Sequence, residues 1–192
     1  GATGNNYPTI PQARLTLESG VPISTSDQTA KSTLYWTPYN GNSVWLYYSS
    51  AWHLHTLTEI SLALSSLTSG KGYDVFAYWD SGTSSIKLEL SAAWTSNTVR
   101  TDALGTQDGF AIKSGDATRL HIGGIYTTGT NTTEDSSVKR YLSNRYNQTD
   151  HVLTVTDATA TWTYTTATTR QSNANSANQA NIFDAVGDAL LD

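Results

Sequence analysis

The chain has 192 residues with no cysteine, no methionine, six tryptophans and eleven tyrosines, and 14% of it is charged, against about 25% in a typical soluble domain. Without cysteine there is no disulfide framework, thiolate zinc site or cysteine nucleophile, and no run of about 18 apolar residues reads as a membrane-inserting helix. A net charge of −5 and a pI near 5.2 argue against a nucleic-acid partner, which calls for clustered Lys and Arg.

The start, Gly1-Ala2-Thr3-Gly4, carries no signal-peptide pattern and no initiator Met, as expected of a processed product, a fragment or a chain with its start removed. Residues 1–12, with Gly, Asn and Pro in no period, read as a linker or arm. Ala13–Glu18 alternates like a half-buried strand. Thr33–Thr37 and Ser43–Tyr48 are strand-like and flank Asn40-Gly41, a strong hairpin signal because both turn residues take φ > 0. Trp52–His55 alternates again. Leu57–Leu67 is ambiguous between strand and helix; its flanking Ser and Thr favour strand. Tyr73–Asp80 is the most apolar run and is expected to be central in its sheet.

Asp80-Ser81-Gly82 turns the chain into Ile86–Leu90, which Ala92-Ala93-Trp94 continues. Asp108-Gly109 precedes the run Phe110–Lys113. Ser114-Gly115 precedes Arg119–Ile122, and Gly123-Gly124 separates that run from Ile125-Tyr126. Thr127–Ser137 reads as an exposed loop. Val138–Tyr146, His151–Val155 and Ala160–Tyr164 are further strand candidates. Residues 166–181 are small and polar, and Ile182–Leu191 is apolar again, a last strand, a short amphipathic helix or a tail.

Strand-length runs with turn signals about every 8–12 residues predict an all-β fold, an antiparallel β-sandwich or jelly-roll-like single domain over residues 13–165. Residues 166–192 would be a polar linker plus a final apolar segment. The expected core is Leu15, Leu17, Leu34, Trp45, Leu62, Leu64, Val75, Ala77, Leu88, Leu90, Ile112, Ile122, Leu142 and Trp162.

No nucleophile elbow, zincin, phosphate-loop or calcium-loop motif occurs, so no catalytic residue, cofactor or metal is assigned. His53-x-His55 places two imidazoles on one strand face, and a metal there would need a third ligand such as His121 or Glu59. Glu59 and Glu89 are strand carboxylates with nothing to pair them for glycoside hydrolysis. Lys139-Arg140 with Arg145 reads as solvated strand positions. Asn131-Thr132-Thr133 and Asn147-Gln148-Thr149 match the glycosylation sequon, which a Thr-rich and Asn-rich chain produces by chance. Aromatic neighbours such as Tyr35-Trp36, Tyr47-Tyr48 and Tyr78-Trp79 face opposite sides of a strand. Trp36, Tyr48, Trp52, Trp79, Trp94 and Tyr164 are therefore the candidates for a subunit interface or for stacking on sugars.

A longer ordered pattern supports a family reading. Its residues are Ala13-Arg14-Leu15-Thr16-Leu17, Leu34–Gly41, Trp45-Leu46-Tyr47, Trp52, Thr68–Tyr78, Ala93-Trp94, Gln107-Asp108-Gly109, Lys113-Ser114-Gly115, Thr133–Ser136 and Lys139–Tyr146. In this order they resemble a family of virion-associated proteins of tailed bacteriophages and prophages, which occur as domains of tail-fibre, head-fibre or decoration proteins. The resemblance implies a non-enzymatic β-rich module on the virion surface. Its partners would be copies of itself, as a trimer, and other virion proteins. The alternative is a receptor- or carbohydrate-binding module whose exposed Trp and Tyr meet a host surface glycan.

Overall fold

The computed structural model describes residues 8–159, 163, 175, 178–187 and 189–191. Every regular element in them is a strand. These are β1 (Ala13–Thr16), β2 (Gln28–Lys31), β3 (Thr33–Pro38), β4 (Ser43–Tyr48), β5 (Ala51–Thr56), β6 (Ile60–Ala63), β7 (Gly72–Asp80) and β8 (Ser85–Leu90). They continue with β9 (Leu104–Gln107), β10 (Phe110–Lys113), β11 (Asp116–Gly129), β12 (Thr132–Asp135), β13 (Lys139–Arg140), β14 (Leu142–Asn144), β15 (Asn181–Asp184) and β16 (Ala189–Leu191). The fold is all-β and sandwich-like. A three-stranded sheet β1-β3-β6 and a β4-β5 hairpin pack over a larger sheet that runs β16-β15-β13-β12-β11-β10-β9. Strands β2, β7, β8 and β14 attach to that larger sheet through β12, β11 and β7.

The main core lies between these layers. Leu15, Leu34, Trp36, Val44 and Leu46 come from the smaller layers; Val75, Ala77, Leu88, Leu120 and Ile125 come from the larger one. The expected core residues Leu62, Leu90 and Leu142 are half-buried against it. Trp162 lies outside the described residues. A second apolar cluster joins Trp94, Tyr141, Phe183 and Ala185, with Tyr126 against it. Strand β7 explains both clusters. It sits between β8 and β11, and residues 72–77 are all buried, so both its faces are covered. A strand buried on both sides loses alternation and reads as a continuous apolar run.

Several elements differ from the sequence reading. Asn40 (φ 57°) and Gly41 (φ 127°) do take left-handed conformations, but β3 and β4 belong to different sheets. Gln12 supplies the reason. Its carbonyl accepts from the Tyr39 N–H at 2.8 Å, and its side chain accepts from the Ser43 N–H at 3.0 Å. The turn therefore carries the chain between layers instead of closing a hairpin. Strand β1 is buried at all four positions, Arg14 and Thr16 included, so it is not half-buried. Gly123 and Gly124 do not separate two strands; β11 runs through them with a bulge between His121 and Gly123. Residues 127–137 are not an exposed loop, since β12 pairs with β11 and Thr133 is fully buried. Residues 151–155 form no strand: Val152 is 75% exposed, and alternation without a ladder partner does not hold a strand. Trp94 does not continue β8 and turns into the second cluster.

The true hairpin in this region joins β4 to β5 through Ser49 (φ 49°) and Ser50 (φ 63°). Two successive left-handed residues are a type I′ turn, which Asn-Gly suits far better than Ser-Ser. Replacing Ser49-Ser50 with Asn-Gly should raise stability by about 1 kcal/mol, read as a higher urea midpoint.

Candidate functional site

The sequence candidates separate into three places. Trp36 and Trp94 are each 1% exposed. They are core residues, which corrects the expectation that they face a partner or a sugar. Trp36 is two residues from Leu34 on β3 and shares its buried face, so its ring falls between the layers. Tyr48 and Trp79 come together. Tyr48 stacks on His53 with ring centroids 4.0 Å apart, His55 stacks on Trp79 at 4.2 Å, and Tyr48 and Trp79 lie 5.9 Å apart. Their ring faces are thus already engaged by one another. Trp52 is separate. It makes an edge contact with Tyr47 at 5.4 Å, leans on Phe110 at 5.2 Å and donates Nε1–H to Asp108 at 2.9 Å. Tyr164 lies outside the described residues.

The imidazoles of His53 and His55 share a face, as their spacing predicts, and both Nε2 atoms are buried without a hydrogen-bond partner. Among the described residues no third ligand joins them. His121 is bonded to Asp74. Glu59 accepts from Ser19 Oγ, Thr37 Oγ1 and the Gly20 N–H, each at 2.6 Å. Burial opposes the charge on Glu59, but these three bonds together hold its carboxyl below the usual range. No group of three or more His, Cys, Asp or Glu converges among the described residues. Glu89 is engaged by Arg119 at 2.7 Å and Lys113 at 3.8 Å.

The most developed polar arrangement was not visible in the sequence. Asp74, on β7, has a fully buried side chain. It accepts from Trp94 Nε1 at 2.9 Å and from Arg100 Nε at 3.0 Å, and His121 Nε2 lies 3.0 Å from its Oδ1. The Asp74 N–H donates to Ser91 Oγ at 2.9 Å, and Arg100 reaches on to the Ala185 carbonyl. His121 is itself fully buried, and its Nδ1 lies 3.2 Å from Arg145 Nη1. A guanidinium only donates, so Nδ1 is the acceptor. The proton therefore sits on Nε2, and His121 is neutral while donating to Asp74. Burial pushes the His121 pKa down, against the hydrogen bond and charge of Asp74. The arrangement ties β7, β11, the Arg100 loop and the turn after β15 together. The Asp74 and His121 side chains are fully buried, and their bonds brace these segments against one another.

Burial also lowers the pKa of His55, with His53 adding, and of His151, with Arg140 adding. A histidine whose folded pKa lies below its unfolded value contributes stability above about 6.5 that is lost as pH falls toward the folded value. The urea midpoint should therefore drop between pH 7.5 and pH 5.5. His55→Phe should weaken that dependence.

A cleft of about 340 Å³ opens beside β13, β14 and β15, lined by Arg14, Asp135, Arg140, Asn144, His151 and Ile182 among others. Burial raises the Asp135 pKa against the pull of Arg140. Arg14 is held by the Pro22 carbonyl at 3.1 Å and Thr149 Oγ1 at 3.0 Å. Two arginines face three aspartates here, Asp135, Asp150 and Asp184, so the cleft has no strong preference for either charge.

No protein-family model, curated protein or solved structure matches this chain.

Proposed function

We propose that this chain is a non-enzymatic structural module of a tailed-bacteriophage particle. In this reading it is a fibre or capsid-decoration subunit on the virion surface, assembled with copies of itself and with other virion proteins. The observation that carries the proposal is the use made of its acid–base groups. Asp74 and His121 are sealed at 0% side-chain exposure and brace four segments, where a reaction centre would need an opening. Glu59 and Glu89 are likewise engaged in local bonds. The ordered resemblance to virion proteins supports the same reading. So does a composition without thiol or thioether, which leaves no sulfur to oxidise on a particle that persists outside the cell. Among the described residues β16 and β9 end the main path of the larger sheet, and neighbouring subunits would add to their ladder edges. The exposed Leu54, at 55%, adds apolar surface on β5.

Sedimentation velocity tests self-assembly. The expected result is a stable oligomer, a trimer by the family resemblance, across a wide dilution range. A monomer at every concentration that binds a glycan array, and loses binding on Trp52→Ala, would overturn the proposal in favour of a receptor-binding module.

A further inference from the structure

The strand order puts β13 between β12 and β15. Lys139 on β13 is directly opposite Asn181 in the parallel β13–β15 pairing. On the other side Ser136 N–H donates to the Lys139 carbonyl, and Tyr141 N–H donates to the Glu134 carbonyl. Opposed residues share a sheet face, as do residues two apart on one strand. Glu134, Ser136, Lys139 and Asn181 are therefore on one face, beside Tyr141 and Phe183 of the second apolar cluster. The contacts agree. Lys139 Nζ lies 3.7 Å from Glu134 Oε2, and Ser136 Oγ donates to Glu134 Oε1 at 2.7 Å. Asn181 is 6% exposed.

An amine, a carboxamide and a carboxylate thus occupy three adjacent strands. Those are the parts an amide transfer needs: a nucleophile, an acyl group and a base within reach of the nucleophile's proton. We propose that Lys139 and Asn181 form an intramolecular isopeptide bond, with Glu134 moving the proton. Glu134 takes a proton from the Lys139 ammonium. The freed amine attacks Asn181 Cγ, the attacking nitrogen gives up a second proton as the Cγ–Nδ2 bond breaks, and both protons pass by way of Glu134 to the leaving nitrogen. An ammonium side chain and a carboxamide become one secondary amide and one ammonium ion, with no oxidant or co-reactant. The bond clamps β15 to the body across the long connection from β13. Closing a long loop restricts the unfolded chain most. In a chain without cysteine it takes the place of a disulfide.

Intact-mass spectrometry of the denatured full-length chain tests this. The expected mass is below the sequence mass by one ammonia, about 17 Da, and a digest should yield one branched peptide joining Lys139 to Asn181. Lys139→Arg and Asn181→Ala should each return the full mass, and so should Glu134→Gln. Wild-type protein at its full sequence mass would overturn the proposal. A loss that survives Lys139→Arg would overturn it too, because ring closure at an asparagine also releases ammonia. A branched peptide still formed in Glu134→Gln would overturn the role of Glu134.

Discussion

Asp74→Ala is expected to lower the unfolding free energy by about 3–5 kcal/mol, the range found when one partner of a buried ion pair is removed. Three donors lose their acceptor at once: Trp94 Nε1, Arg100 Nε and His121 Nε2. The Arg100 side chain is only 7% exposed, and a guanidinium does not give up its proton. Its charge would then remain buried against the face of Trp94, 4.5 Å from the ring centroid, with the carboxylate gone. Asp74→Asn keeps one oxygen acceptor and should cost less. Urea unfolding followed by tryptophan fluorescence gives both numbers. An Asp74→Ala midpoint equal to wild type would mean that the network does not brace the fold.

Gly123→Ala is expected to cost about 3 kcal/mol or more, at the upper end of the overpacking range. Gly123 has φ 155° in the bulged part of β11 and pairs with Asn144 of β14. A methyl group there would run into the Ser143 carbonyl oxygen and would sit 2.9 Å from Leu15 Cδ1. The carbonyl belongs to the paired β14 strand, so it has no rotamer with which to move aside. Gly20 is the control. It has φ 73° but nothing within 4 Å of an added Cβ, so Gly20→Ala should cost only about 1 kcal/mol, the conformational penalty alone. Equal losses at the two positions would show that β11 and β14 are not held as described.

These two sites show what local sequence carries and what it does not. Asp108-Gly109 was legible as a turn before Phe110–Lys113, because Asp108 (φ 50°) and Gly109 (φ 85°) carry that conformation locally, but the strand it pairs with, β9, was not read. Asn40-Gly41 has the same local chemistry, yet Gln12, far away in sequence, takes the bonds and sends the strands to different sheets. Ser49-Ser50 closes a hairpin without the usual turn residues, so nothing flagged it. In the pairs Tyr47-Tyr48 and Tyr78-Trp79 both rings are half-buried, so neither pair divides into one buried and one exposed ring. For Tyr35-Trp36, however, only the second layer decides that Trp36 is the buried one. Asp74 looked like one polar position in an apolar strand. Its partners lie 20, 26 and 47 residues away, and no periodic pattern links them. The all-β class and the central place of Tyr73–Asp80 were legible because they depend on composition and runs of apolar residues. The polar network and the Lys139–Asn181 pairing depend on strand order, which local pattern does not encode.

The proposal that this chain is part of a virus particle is tested most directly by electron microscopy with an antibody raised against it. The particles would be those produced by the genome that encodes it. Label at repeated, symmetric positions on the particle surface is the expected result. Particles without label, with the chain recovered only as free protein, would contradict it.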